Sequence, residues 1–412
     1  MAFWGKFIQK SHKFVFWLSM AAIVGVVTGV VGASFHKAID FATSARVANP
    51  HLLYLLPIGG AVIALMYRLS KKQLSTNTVI DCIRNNEKAS GLLAPLIFIG
   101  AFITHLTGGS AGREGAALQI GGGIGSQVAS SFKMNKHDTG VMIVCGMSGA
   151  FSAIFTTPVT AAVFALELVS VGHIRYFQLL PCIISSICGY LTTIAFGNHK
   201  LFYELPLIPE LSALMCLKII ILGIAAAFLS MLFCIAIHKS EELMTKIFKK
   251  DYIRAFAGGC IIIALTLIAG TRDYNGAGMD IIESALGGNA KPEAFAMKLL
   301  FTAATVGAGF KGGEIVPAFF VGSTFGVVLG HFLGIDPAFA AALSLVCVFC
   351  GIANCPLAAV MLGVELFGSE AIVFFALVSG IAFVVTGRFG LYKSQKIVYS
   401  NEGTEKENYY VK

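Results

Sequence analysis

The chain has 412 residues, of which 56% are hydrophobic and 13% charged, with a mean hydropathy of +0.80. About a quarter of a soluble domain is charged, so an ordinary soluble protein is excluded. The net charge of +8 does not signal nucleic acid, because basic and aromatic residues are not interleaved.

The basic stretch Met1–Lys13 reads as a cytoplasmic N-terminus. It leads into an apolar run from Phe14 to Phe35, too long for a cleaved signal peptide and long enough for a first membrane helix. Further apolar segments fall at about 53–68, 92–107, 116–132, 140–155, 158–171, 177–196, 211–237, 254–270, 297–309, 317–333, 338–352, 356–367 and 370–386. Several are shorter than the ~20 residues a straight span needs. Lys71, Lys72, Lys246, Lys249 and Lys250 flank such runs, as cytoplasm-facing ends do. The polar, Pro-containing stretch 199–210 separates two halves, 14–198 and 211–392, and the charged residues 393–412 are expected as a cytoplasmic tail. This is a multi-pass chain for a lipid bilayer, expected in the plasma membrane with both termini cytoplasmic.

The two halves repeat each other. Pro158–Leu168 reads again as Pro356–Leu366, with both Pro and Glu 198 positions apart. Asn77–Asp81 is echoed by Met279–Glu283, and Gly112–Gly115 by Gly312–Ile315. Short segments interrupted by Gly or Pro at matching places of a duplicated bundle predict half-spanning helices, whose tips meet around a small solute. The expected fold is all-α, an inverted-topology repeat of membrane-spanning and half-spanning helices. A transporter or channel follows, not an enzyme, with neither metal nor cofactor.

The stretch from Gly108 to Gln119 carries the first chemistry. Its glycines let backbone approach a ligand, and a helix starting near Ala116 would aim free N–H groups and its positive dipole end at an anion. An ionised Glu114 would occupy the anion's own place, and a protonated one would leave it. A carboxylate competing for one nest of amides is a gate that couples anion to proton. The alternative is an Arg113–Glu114 ion pair closing a turn. Gly307–Pro317 is the counterpart, where Pro317 suits a first helical turn and Ile315 and Val316 offer amides. Pro158 and Pro356 also start short helices, which Thr156-Thr157 and Asn354-Cys355 can cap. Glu167 and Glu365 near the ends of those helices are either functional acids or structural ones paired with polar groups.

These residues resemble the CLC chloride channels and transporters over roughly 14–392. The gating motif written GREGP in that family stands here as Gly112-Arg113-Glu114-Gly115-Ala116, and GGxFxP as Gly312-Gly313-Glu314-Ile315-Val316-Pro317. The family's pore tyrosine matches Tyr392, and its first anion segment matches Leu74-Ser75-Thr76-Asn77, with Ser75 or Thr76 supplying the hydroxyl. The resemblance implies a homodimer with one pathway per subunit. It implies Glu114 as gate, and Ser75, Thr76, Gly112, Arg113, Gly115, Ile315, Val316 and Tyr392 along the anion path. Leu168 stands where proton-coupled chloride exchangers carry a second, inner glutamate, and Glu314 is an acid where chloride members carry an apolar residue. Both features look most like the fluoride-exporting branch, which exchanges fluoride for protons, and they make Glu314 a second proton or electrostatic element. Ser75-Thr76 and Val316 point the other way, since that branch often has Met and Thr there. A chloride channel or chloride/proton exchanger is the alternative.

Two rival motifs are weaker. Gly146-Met147-Ser148-Gly149 matches GxSG, but a serine protease needs a histidine at bilayer depth, with His105 and His331 as candidates. Cys347-Val348-Phe349-Cys350 matches CxxC inside an apolar run without a helix-start signal, which favours packing over redox chemistry.

Overall fold

The computed structural model describes residues 2–70, 74–397 and 409–411. Lys71, Lys72, the side chains of residues 1–13 and most of the tail beyond 397 lie outside the described residues. The architecture is all-α apart from three two-residue strands: β1 (Ser170–Val171), β2 (Lys396–Ile397) and β3 (Tyr409–Tyr410). β1 pairs in parallel with β2, and β2 antiparallel with β3, so the chain after Tyr392 is tied to the end of the first half's short helix.

The helices run twice through one pattern. The first set is α1 (Ala2–Ala48), α2 (Leu56–Leu69), α3 (Thr76–Asn85), α4 (Leu93–Thr107), α5 (Glu114–Ser131), α6 (Lys136–Phe155), α7 (Pro158–Glu167) and α8 (Leu179–Ala195). The second is α9 (Ala213–Ile247), α10 (Asp251–Ala269), α11 (Met279–Leu286), α12 (Ala294–Gly307), α13 (Ile315–Leu333), α14 (Pro337–Ala353), α15 (Pro356–Phe367) and α16 (Ile372–Thr386). Eight helical segments among the described residues are long and apolar enough to cross a bilayer, and five shorter apolar helices accompany them. The sequence reading differs in two places. α5 begins at Glu114 rather than near Ala116, which makes the acid itself the first helical residue. α3 and α11 are amphipathic, not apolar, and hydropathy alone passes over them.

Burial is deepest where α5 crosses α6 and α13 crosses α14. A Cβ on Gly121 would lie 2.1 Å from the carbonyl oxygen of Gly146, so these backbones touch with nothing between them. In the second half a Cβ on Gly326 would likewise run into the Ala340 carbonyl. α6 and α14 each end on a left-handed residue, Thr156 (φ 56°) and Asn354 (φ 54°), and the chain turns sharply into Pro158 and Pro356.

The expected caps of those short helices are not the ones observed. Neither Thr157 nor Cys355 makes a side-chain cap. Thr156 instead accepts from the Leu201 N–H, and Asn354 donates to the Phe389 carbonyl. The Glu365 carboxylate, from α15, accepts from the N–H groups of Val159 (3.0 Å) and Thr160 (2.7 Å) at the start of α7. The Glu167 carboxylate, from α7, accepts from Leu357 (3.2 Å) and Ala358 (2.8 Å) at the start of α15. Each half thus supplies the carboxyl oxygens that accept from the other half's exposed amides. Both acids pair with polar groups, as the structural reading expects.

The rival motifs are absorbed by packing. Ser148 Oγ donates to the Cys182 carbonyl. His105 bonds the Gly112 carbonyl and His331 the Val327 carbonyl, so neither serves Ser148 as a base. Cys347 and Cys350 are buried in α14 and donate to the carbonyls of Gly223 and Ser379.

Candidate functional site

The tips of α5 and α13 meet head to head. Gly112 N–H donates to the Gly313 carbonyl and Gly313 N–H to the Gly112 carbonyl, both at 2.7 Å. A Cβ on Gly115 would stand 2.9 Å from Gly313 Cα, and one on Gly313 would stand 2.4 Å from Gly115 N. Only glycines let the two helix starts come this close. The first intrahelical bonds run from Ala117 to the Arg113 carbonyl and from Ala318 to the Glu314 carbonyl. The amides before them therefore point out of each helix. Pro317 has no N–H, so α13 presents those of Ile315 and Val316.

The carboxylate of Glu114 lies in this shared tip. Glu114 is 1% exposed. Its Oε2 accepts from the Arg113 N–H at 2.9 Å, and the Val316 amide also faces the carboxylate. A Cβ on Gly112 would fall within 2.4 Å of Oε2 and 3.1 Å of Val316 Cβ. Oε1 has no hydrogen-bond partner among the described residues. The acid thus occupies an amide-lined position made by both halves. The ion-pair alternative is present only as a long contact, Arg113 Nε to Glu114 Oε1 at 3.9 Å. Arg113 is closer to Asp40, at 2.9 Å, and His36 holds the same carboxylate at 3.1 Å. The guanidinium of Arg113 consequently faces away from the other predicted anion-path residues, toward a separate cavity.

Ser75, Thr76, Glu314 and Tyr392 come together along a cavity of about 190 Å³ on one side of the tips, which Gly312 also lines. Ser75 is the N-cap of α3, and its Oγ accepts from the Thr78 N–H at 3.3 Å. Thr76 Oγ1 accepts from Gln119 Nε2 at 3.2 Å, which leaves its own proton to donate. Tyr392 is 3% exposed, and its hydroxyl has no partner among the described residues. The Glu314 carboxylate stands across Gly115, 3.3 Å from where a Cβ there would be. Ile315 and Val316 are buried at the tip itself rather than along the cavity wall. A second cavity of about 620 Å³ opens where Asp40 and Arg113 lie. Glu114 stands between residues that line the two.

A family described as voltage gated chloride channel matches residues 59–387. The chain is a member of this CLC family. It is 31% identical over 393 residues to a "Chloride/fluoride channel protein" of Pseudomonas syringae pv. tomato, covering 93% of this chain and 87% of that one. It is 25% identical to an "H(+)/Cl(-) exchange transporter ClcA" of Vibrio vulnificus, covering 85% and 81%. Among solved structures, a CLC-type fluoride/proton antiporter superposes with a TM-score of 0.90 at 26% identity, covering 94% of this chain and 99% of that one. A slow cyanobacterial Cl−/H+ antiporter shares the fold, with a TM-score of 0.77 at 20% identity over 90% and 94%.

Three polar residues of this CLC protein were not placed on the anion path by sequence reasoning. Gln119 is buried, bonds Thr76 and leaves Oε1 without a partner. His105 is fully buried with Nε2 against the Gly112 carbonyl at 3.3 Å. Lys311 lines the smaller cavity with its ammonium 4.4 Å above the Tyr67 ring. The available signal was a polar side chain inside an apolar run, which in a membrane points to a site. Gln119, one turn beyond Glu114, had that signal most plainly.

Proposed function

We propose that this CLC protein exchanges a halide for protons across the plasma membrane and favours fluoride, which it exports. The observation that carries the reading is the Glu114 carboxylate held by the amides of two converging helix tips. An anion entering from the smaller cavity needs those same amides, because a small ion gives up its water only to several donors at close range. A proton on Glu114 removes the charge that binds it there, the side chain withdraws, and the anion takes its place. Deprotonation reverses the exchange.

Thr76 and Tyr392 supply hydroxyl donors on the approach, with Ser75 largely committed to capping α3. Glu314 carries protons from the smaller cavity toward Glu114, the task left open by Leu168. Its proximity to Gly115 supports this role. The basic connection around Lys246, Lys249 and Lys250 orients the smaller cavity toward the cytoplasm, with both termini on that side. Residues 14–198 and 211–392 are the two repeats, and the protein works as a homodimer with one pathway in each subunit. The names of the relatives above support fluoride, while the hydroxyls of Ser75 and Thr76 favour the second reading, a chloride/proton exchanger.

The test is efflux from proteoliposomes read by fluoride and chloride electrodes with internal pH followed at once. Proton movement that tracks fluoride is expected. Chloride flux without protons would replace the reading by a channel.

A further inference from the structure

The larger cavity has features that gating does not use. Arg46, Arg113 and Arg272 line it together with Asp40, Asp273 and Asp280. Two of the acids are engaged: Asp40 with Arg113 and His36, and Asp273 with Lys291 at 2.8 Å. Asp280 is exposed and close enough to attract Arg46, but among the described residues it makes no ion pair with either remaining guanidinium. Arg46 and Arg272 make no ion pair and no side-chain hydrogen bond among the described residues, although each guanidinium carries five N–H donors. Arg46 Nε is shielded from water and has no acceptor.

The surrounding backbone is shaped around this group. A Cβ on Gly276 would lie 2.6 Å from an Arg46 terminal nitrogen, and one on Gly108 would lie 3.4 Å from its Cδ. The loop that carries Gly276 is fixed from behind by the fully buried Lys298, whose Nζ donates to the carbonyls of Gly276 (2.6 Å) and Tyr274 (3.2 Å). The loop is also bonded to the approach to the gate, through Asn275 Nδ2 to the Gly108 carbonyl and Gly276 N–H to the Gly109 carbonyl. A shielded guanidinium without an acceptor, Arg46, beside an exposed one, Arg272, in a preformed cavity offers ligands for an anion.

We propose that Arg46 and Arg272 form an anion-docking site in the cavity beyond Glu114, taking a small inorganic anion such as the halide that has passed the gate. The site rests on the transport reading only for its role, since its chemistry depends on the guanidiniums alone. It raises the local concentration of anion at that mouth.

Initial uptake rates are measured against fluoride concentration in right-side-out and inside-out membrane vesicles carrying the full chain. In the Arg46→Gln/Arg272→Gln double variant, KM for fluoride presented at the Arg46 mouth is expected to rise roughly fivefold, the factor matching about 1 kcal/mol between charges in water. KM from the opposite face and the proton-to-fluoride ratio are expected to stay unchanged. Arg272 is exposed, so Arg272→Glu keeps the test open if Arg46 is needed for folding, and a larger one-sided rise is expected from it. An unchanged KM at the Arg46 mouth, or equal changes at both faces, would overturn the proposal. If the wild type moves chloride without protons, antiport falls, while the same sided comparison made with chloride still decides the docking site.

Discussion

Replacing Glu114 by Gln keeps the shape of the side chain and removes the charge on which gating depends. In the structure the carboxylate accepts from the Arg113 N–H at 2.9 Å and faces the Val316 amide. A hydrogen bond to a charged group contributes about 1.5–3 kcal/mol, against 0.5–1.5 for a neutral one. Two such contacts lose about 2 kcal/mol together when the acceptor becomes an amide oxygen, which shifts the competition between side chain and anion roughly 30-fold toward the anion. The variant also has no proton to carry. Proteoliposomes bearing Glu114→Gln should therefore pass halide at a rate at least equal to wild type, while internal pH stays at the level of protein-free vesicles. Halide flux that still drives a pH change in wild-type proportion would refute both the gate and the proton carrier at this position.

Tyr392→Phe removes a hydroxyl that has no protein partner. Thermal stability in detergent should stay within about 0.5 kcal/mol, while halide affinity by equilibrium titration should fall about 3- to 10-fold, the share of one hydrogen bond. Gly115→Ala would drive a Cβ to 2.9 Å of Gly313 Cα. It should part the two tips and lower flux at least tenfold in vesicles while circular dichroism stays helical, the cost of overpacking being about 1–3 kcal/mol. Glu365→Ala strands the Val159 and Thr160 amides. A loss of about 3 kcal/mol in chemical unfolding is expected, with the proton-to-halide ratio unchanged in whatever fraction remains folded. An altered ratio would make Glu365 part of the coupling path rather than a cap.

Hydrophobic runs were legible because a bilayer demands them, and the helices from Leu93–Thr107 to Ile372–Thr386 follow them closely. The repeat was legible because glycine, proline and glutamate recur at places where backbone shape is fixed. α3 and α11 escaped hydropathy because each has a polar face. The role of Glu167 and Glu365 was open in the sequence because each bonds residues about 200 positions away, and local pattern carries no information on such a partner. The motif puts Arg113 on the anion path, yet its guanidinium reaches Asp40 on α1, a partner that the local pattern does not show. Gln119 had a readable signal, a polar residue in a glycine-rich apolar helix, but nothing local pointed to Thr76.

The exchange of carboxylates between α7 and α15 has a consequence for biogenesis. While the ribosome is still making the second half, the start of α7 already sits in lipid with two amides that only Glu365 will satisfy. The first half is therefore an incomplete insert that matures when its twin arrives. Because the bonds are reciprocal, two separately translated halves hold all the groups needed to complete each other, and co-expressed fragments cut within 199–210 should assemble where either fragment alone is degraded.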